Sequence, residues 1–250
     1  MTVHLFYNGG VNAATAERLL DLNRQFYQTF ALQFAATRRR LQPGVHAILP
    51  RLDPDAPVLD LGCGNGEVAQ QLFKQGYRGL YVGIDQSLAL LEVARERTPG
   101  RLNARFYQAN LAALGWMESL PSLEFGVVLC FAFLHHVPDD SRRRTLLENV
   151  RACLAASGSF IHSEWQFLNS ARLRARIQPW KLLGLSPAQV DPGDYLLDWR
   201  DGGLGFRYVH SFTPEELALL AEESGFTIVE TFLSDGEENR LGLYQVWKLV

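Results

Sequence analysis

Cysteine is scarce in this chain. Cys63, Cys130 and Cys153 stand far apart among 250 residues. Their spacing gives neither a zinc pattern nor a disulfide framework, so a reducing compartment is expected. No run of about 18 apolar residues occurs, so no helical membrane span is expected. The first ten residues have neither a basic stretch nor an apolar one, and no secretory leader is read there. Together these absences predict a cytoplasmic location. Lysine is almost missing: of the 24 basic residues, 3 are Lys and 21 are Arg. A net charge of −3 gives no whole-molecule attraction to nucleic acid. What is present is a globular composition, 47% hydrophobic and 20% charged, which excludes a disordered chain. The length suits one large domain or two small ones. Charge is unevenly spread, with residues 1–51 at net +4 and residues 191–250 at net −8. The arginine bias suits planar, two-point contacts with anions, and genome base composition explains it equally well.

Periodicity sets the element order. From 14 to 40 apolar residues recur at helical spacing (Leu19, Leu22, Phe26, Phe30, Phe34). Pro43 and Gly44 interrupt, and a short helix runs on to about 49. Strands are expected at 57–61, 79–85, 104–108, 125–131 and 158–164. Helices between them are expected at 67–75, from the Ser87 cap to 97, and from 140 or 141 to 154. The apolar run at 125–131 suits a strand buried on both faces. Residues 166–210 break the pattern with a short basic helix (Arg172, Arg174, Arg176) and a stretch rich in Gly, Asp and Pro. This reads as an irregular insertion over the carboxyl edge of the sheet. Thr213-Pro214-Glu215-Glu216 starts a helix that ends at Gly225. Strands at 227–233 and 241–249 close the chain. The fold class is therefore α/β, a doubly wound and mostly parallel seven-stranded sheet. Residues 1–50 form a helical lid, and residues 51–250 form the main domain with an insertion at about 166–212.

The segment Val58-Leu-Asp-Leu-Gly-Cys-Gly-Asn-Gly66 is the chemical signal. A strand turns sharply into a helix while its backbone lies against a ligand, and glycines permit both. Asp60 can accept hydrogen bonds near a cationic amine, and Asp85 can bind both hydroxyls of a ribose. The form GxGxG preceded by Asp, with a terminal hairpin, fits S-adenosylmethionine (SAM) better than a dinucleotide. The expected cofactor set is Asp60, Gly62, Cys63, Gly64, Asp85, Gln86, Asn110, Leu111 and Phe131, with S-adenosylhomocysteine as product. Asn110 serves equally as a turn former.

Outside this core the chain resembles a narrower family. Tyr27-Gln-Thr-Phe-Ala-Leu-Gln-Phe-Ala-Ala-Thr-Arg38, with Pro43 and Val45, is similar to the YxxIAxxFSxTRxxxWPxV segment of the wobble-uridine tRNA carboxymethyl methyltransferases. These are the yeast-type enzymes and the methyltransferase domain of the vertebrate AlkB-homologue tRNA modifier. Leu134-His-His136, Arg142-Arg143, Trp165, Arg207-Tyr-Val-His-Ser-Phe212 and Glu238-Asn239 match in register. The chain departs from the family at Glu67 (usually Lys), Gln42 (Trp) and Asn110 (Asp), and residues 1–23 are extra. The resemblance implies a class I SAM-dependent methyltransferase that esterifies a carboxymethyl group on tRNA. It also implies a small zinc-binding activator protein as partner.

A carboxylate acceptor is already ionised at neutral pH, so no strong base is needed and alignment supplies most of the catalysis. A cation must aim it. Arg38 and Arg207 are the candidates, and either can instead hold the carboxylate of SAM. Arg38 on a solvated helix face is the structural alternative. His135 completes the expected catalytic set, and Tyr27, His136, Tyr208 and His210 complete the substrate set. His210 serves equally as a structural histidine paired with Tyr208. No third ligand at metal spacing accompanies His135 and His136, so no metal is expected. Arg142–Arg144 and Arg172, Arg174 and Arg176 can form a phosphate track or pair with local acids. The rival classes are a small-molecule O- or N-methyltransferase and a non-catalytic SAM-binding subunit.

Overall fold

The computed structural model describes residues 10–31, 33, 40–98, 100, 102–113 and 115–250. Its main sheet is built from β1 (Val58–Leu61), β2 (Tyr81–Asp85), β3 (Ala104–Gln108), β4 (Phe125–Phe131), β5 (Leu154–Trp165), β9 (Phe226–Ser234) and β10 (Gly242–Leu249). The order is β3-β2-β1-β4-β5-β10-β9. The first five strands are mutually parallel, and only β10 runs against its neighbours. All four residues of β1 are buried because it lies between two parallel partners with helices on both faces.

Alternation along the strands sorts the core into two layers. Leu59, Leu61, Val82 and Val128 face α5 (Asp140–Cys153) and α7 (Pro214–Glu223), packing with Leu146, Leu147, Leu217 and Leu220. Val58, Tyr81 and Leu129 face α2 (Pro43–Ile48) and α3 (Glu67–Lys74), packing with Val45, Ile48, Val68 and Leu72. Helix α4 (Leu88–Arg97) starts at its Ser87 cap, and α7 starts with the Thr213–Glu216 capping box and Pro214. Each helix begins where its cap residues require.

Two sequence expectations are revised. The segment 166–210 is not irregular. After the short α6 (Ala171–Arg174) it forms an antiparallel sheet, β6 (Ile177–Gln178), β7 (Asp194–Trp199) and β8 (Gly205–His210). Strand β5 also begins at Leu154, not at 158.

Helix α1 (Ala13–Thr29) opens at Asn12, whose side chain accepts the Thr15 amide at 2.8 Å. It lies against β8. The Asn23 side chain pairs with both backbone groups of Tyr208, accepting from its N–H at 2.8 Å and donating to its C=O at 3.1 Å. Leu19 packs with Leu185 and Tyr208, and Phe26 and Phe30 pack with Trp199. The helix ends at Thr29, where the Phe30 N–H bonds Phe26 O. Of the helix expected through residue 40, positions 32 and 34–39, Arg38 included, lie outside the described residues. No helix among the described residues is long and apolar enough to cross a membrane.

Candidate active site

A cavity of about 420 Å³ opens at the carboxyl edge of the main sheet, closed on one side by α1 and β8. Parallel strands end here, so their connecting loops meet over one crevice. The loop after β1 supplies the floor. Gly62 has φ +76°, and a Cβ there would meet the Phe133 ring at 2.9 Å. Gly64 has φ +53°, and its Cβ position faces open space. Both conformations favour glycine, and the second leaves bare backbone for a ligand to approach.

Two carboxyl groups border the same loop. Asp85, ending β2, accepts the Gly64 N–H at 2.9 Å on Oδ2 and the Ser87 N–H at 2.8 Å on Oδ1. Burial raises its pKa against the opposing pull of these N–H groups. Asp60 accepts a hydrogen bond from the Tyr81 hydroxyl, and burial pushes its pKa up to about 7. Burial also raises the Cys63 thiol well above its ordinary value, so it faces the cavity uncharged. Gln86, Leu111, Phe131 and Phe133 add to the lining, as does Asn110. The Asn110 side chain accepts the Ala112 N–H at 3.1 Å, a local turn bond that leaves its amide nitrogen as the donor.

The far end is built by α1, the 3₁₀ turn Leu134–His136, the end of β5, and β8. Arg207 is buried, and its guanidinium carbon lies 4.7 Å from the Trp165 ring centroid, 5.5 Å from Phe26 and 5.9 Å from Trp199. These rings orient the planar cation and screen it from water, which strengthens its pull on an anion. His136 Nδ1 lies 3.0 Å from Tyr208 O, and its Nε2 lies 2.8 Å from the Tyr27 hydroxyl. A carbonyl only accepts, so Nδ1 carries the hydrogen and Tyr27 donates to Nε2. His135 Nδ1 lies 2.9 Å from Glu164 Oε2.

Residues 34–231 match the profile of a family described as a methyltransferase domain. The chain belongs to that family. It is a SAM-dependent methyltransferase with the class I fold. Over 209 residues it is 27% identical to an Encephalitozoon cuniculi protein with a provisional methyltransferase name, covering 82% of this chain and 87% of that one. It is 36% identical over 140 residues to the trans-aconitate 2-methyltransferase of Acidovorax ebreus, covering 55% of this chain and 47% of that enzyme. Among solved structures, a SAM-dependent methyltransferase from Methanosarcina mazei superposes with a TM-score of 0.64 at 25% identity, over 84% of this chain and 99% of that one.

The methyltransferase brings most of the sequence-predicted site residues to one cavity: the whole cofactor set together with Tyr27, His135, His136 and Arg207. It does not bring Tyr208 and His210 there. Strand alternation turns them to the opposite face of β8 from Arg207. Tyr208 donates to Asp194 Oδ1 at 2.8 Å and accepts from Arg143 at 3.1 Å, while His210 Nδ1 lies 2.7 Å from the same Asp194 oxygen. Both are structural. The first arginine run pairs with local groups, the second of the two readings left open for it. Arg142 pairs with Asp139 and Glu17, Arg144 with Asp140 and Glu223, and Arg143 is buried against Val137 O. Of the second basic trio, Arg172 borders the cavity and Arg174 donates to Leu168 O.

The sequence reading missed Asn23, Glu164 and the Asp235–Tyr244 pair. Asp235 accepts the Gly44 N–H at 2.9 Å and the Tyr244 hydroxyl at 2.6 Å, tying α2 to β10 at the cavity wall. Glu164 had a readable signal, a carboxylate ending a buried strand at the ligand-binding edge.

Proposed function

We propose that this methyltransferase esterifies a carboxylate, holding the acceptor against Arg207 and His135. The observation that carries the reading is the aromatic-walled Arg207 guanidinium, which lines the same cavity as His135. A guanidinium offers two parallel N–H donors that match a carboxylate, so it fixes orientation as well as charge.

The donor set of the β1 loop fits SAM. The open Cβ position of Gly64 admits a ligand against bare backbone, and Asp85 is held with lone pairs toward the cavity for a ribose. Asp60 suits the amino group, whose charge favours the ionised carboxylate over the neutral acid. Bound SAM supplies an electrophilic methyl group on a sulfonium. Arg207 holds the acceptor carboxylate by its two parallel N–H donors, His135 donates to one of the same oxygens, and the rings of Phe26, Trp165 and Trp199 keep water out. Tyr27, held by His136, brings α1 over the acceptor as a lid. Proximity and alignment are the main catalytic effects.

Two carriers of the carboxylate compete. The TR and RYVHSF matches support the carboxymethyl group of a tRNA wobble uridine, with a small zinc-binding protein as activator. The engagement of Arg142, Arg143 and Arg144 by neighbouring groups favours a small carboxylic acid, because those arginines no longer offer a track for phosphates. The small acid is our first reading. The test supplies purified enzyme and SAM with a panel of small di- and tricarboxylates. It also supplies tRNA with and without the carboxymethyl uridine, each with and without a candidate zinc-binding partner. Alkali-labile methyl transfer to a small acid is expected. Transfer confined to the modified tRNA replaces the small acid by the tRNA reading. Transfer only to hydroxyls or amines overturns the carboxylate class.

A further inference from the structure

Behind His135 lies a buried polar chain that the methyl transfer does not use directly. His162 and Glu164 project from the same face of β5, two residues apart, and both are buried. Glu164 Oε1 lies 3.0 Å from His162 Nδ1, and Oε2 lies 2.9 Å from His135 Nδ1. One of two backbone amides at this site decides where the hydrogens sit. The His135 N–H donates to Glu164 Oε2 at 3.1 Å, and the Trp165 N–H donates to His135 Nδ1 at 3.4 Å. An amide N–H only donates, so His135 Nδ1 accepts and carries no hydrogen. The contact between that nitrogen and Oε2 then needs its hydrogen on the oxygen. Glu164 is the neutral acid, and Oε1, its carbonyl oxygen, accepts from His162 Nδ1–H. The hydrogen of His135 is on Nε2.

We propose that Glu164 is a positioning residue which, as a neutral acid, locks His135 in the Nε2–H tautomer, so that His135 meets the acceptor as a hydrogen-bond donor and not as a base. The proposal deepens the carboxylate reading and rests on it. An anion accepts a hydrogen bond, whereas an alcohol or phenol needs its proton removed.

The surroundings agree. The groups facing Glu164 are His162 on its own strand, His135 on the 3₁₀ turn, Cys130 on β4 and Arg143 on α5. Burial keeps His162 and the Cys130 thiol uncharged. Among the described residues, Arg143, the His135 amide and the His162 Nδ1–H favour the carboxylate form, and burial outweighs them, raising Glu164 well above the ordinary range. On β10, the side chains paired with His162 and Glu164 are Gln245 and Leu243, which do not titrate.

The test is long-range ¹H–¹⁵N NMR on the full chain labelled at histidine nitrogens, with His135 assigned by the signals lost in His135→Gln. The expected wild-type pattern is Nε2–H at His135 from pH 6 to 8.5. Glu164→Gln keeps it, because its amide donates to Nδ1 and its carbonyl accepts from His162, at the loss of the single bond from the His135 N–H. Glu164→Ala mixes the two tautomers, lowers kcat/KM at least tenfold on whichever acceptor of the panel turns over, and Glu164→Gln recovers most of that loss. An Nδ1–H pattern or an imidazolium at pH 7 in the wild type overturns the proposal, as does a Glu164→Gln enzyme as damaged as Glu164→Ala. If Glu164→Ala fails to fold, the wild-type and Glu164→Gln spectra decide. The spectra need no acceptor, so an error in the acceptor class appears in the transfer panel alone.

Discussion

Asp85 does two jobs with one carboxylate. Its oxygens fix the Gly64 and Ser87 amides, which shapes the loop, and their remaining lone pairs border the cavity where a ribose fits. Replacing it by Ala removes the charge-assisted bonds to the sugar and loosens the loop that receives it. Each such bond contributes roughly 1.5–3 kcal/mol. Asp85→Ala is therefore expected to weaken SAM binding at least tenfold, read by titration calorimetry, and unchanged affinity would remove Asp85 from the cofactor site. Arg207 shows a different residue-scale lesson. Arg207, Tyr208 and His210 share one short motif, yet a strand cannot aim adjacent side chains into one pocket. Its period of two sends Arg207 to the cavity and the other two to Asp194.

At the scale of elements, α1 joins the cavity wall through Asn23. Its side-chain amide mimics a backbone unit, meeting the N–H and C=O of Tyr208 as a neighbouring strand would. Asn23→Ala leaves the buried Tyr208 amide without that acceptor, at a cost of about 1–3 kcal/mol. The expected result is a lower midpoint in urea with an unchanged slope. The Rossmann-like elements were legible in the sequence because buried parallel strands are runs of Val, Leu and Ile punctuated by caps and glycines. The sheet β6–β8 was not. Its strands turn Asp194, Asp198 and Arg207 inward, so alternation reads as polar loop. The cofactor loop was legible because its chemistry is local in sequence. Asn23 and Asp235 were not, since each acquires its role from a segment distant in the chain.

Across the whole molecule, stability carries the signature of buried titratable groups. His162 is stacked on Phe160 and edge-on to Trp247, and burial pushes its pKa down to about 3. The unfolded chain binds a proton at His162 near pH 6.5, while the folded chain stays neutral to about pH 3. The stability this group contributes is present above pH 6.5 and is lost as pH falls through that window, at up to about 1.4 kcal/mol per pH unit. Asp60, raised to about 7, has the opposite slope, gaining stability on acidification from 7 toward 3.8. His162→Gln isolates the first term. The stability gap between wild type and variant should narrow from pH 7 to 4.5 in denaturant titrations, and a constant gap would contradict a neutral buried His162.

The Asn23–Tyr208 pairing also joins residues 185 positions apart. During synthesis α1 is made long before the strand that covers its apolar face. At about 5–20 residues per second the wait is roughly 10–40 s. A 17-residue helix is marginal alone in water, so Leu19, Phe26 and Phe30 pass that interval without their partners. The segment that finishes the pocket is thus a long-exposed sticky stretch of the nascent chain, and slowing translation before residue 210 should lower the yield of soluble enzyme.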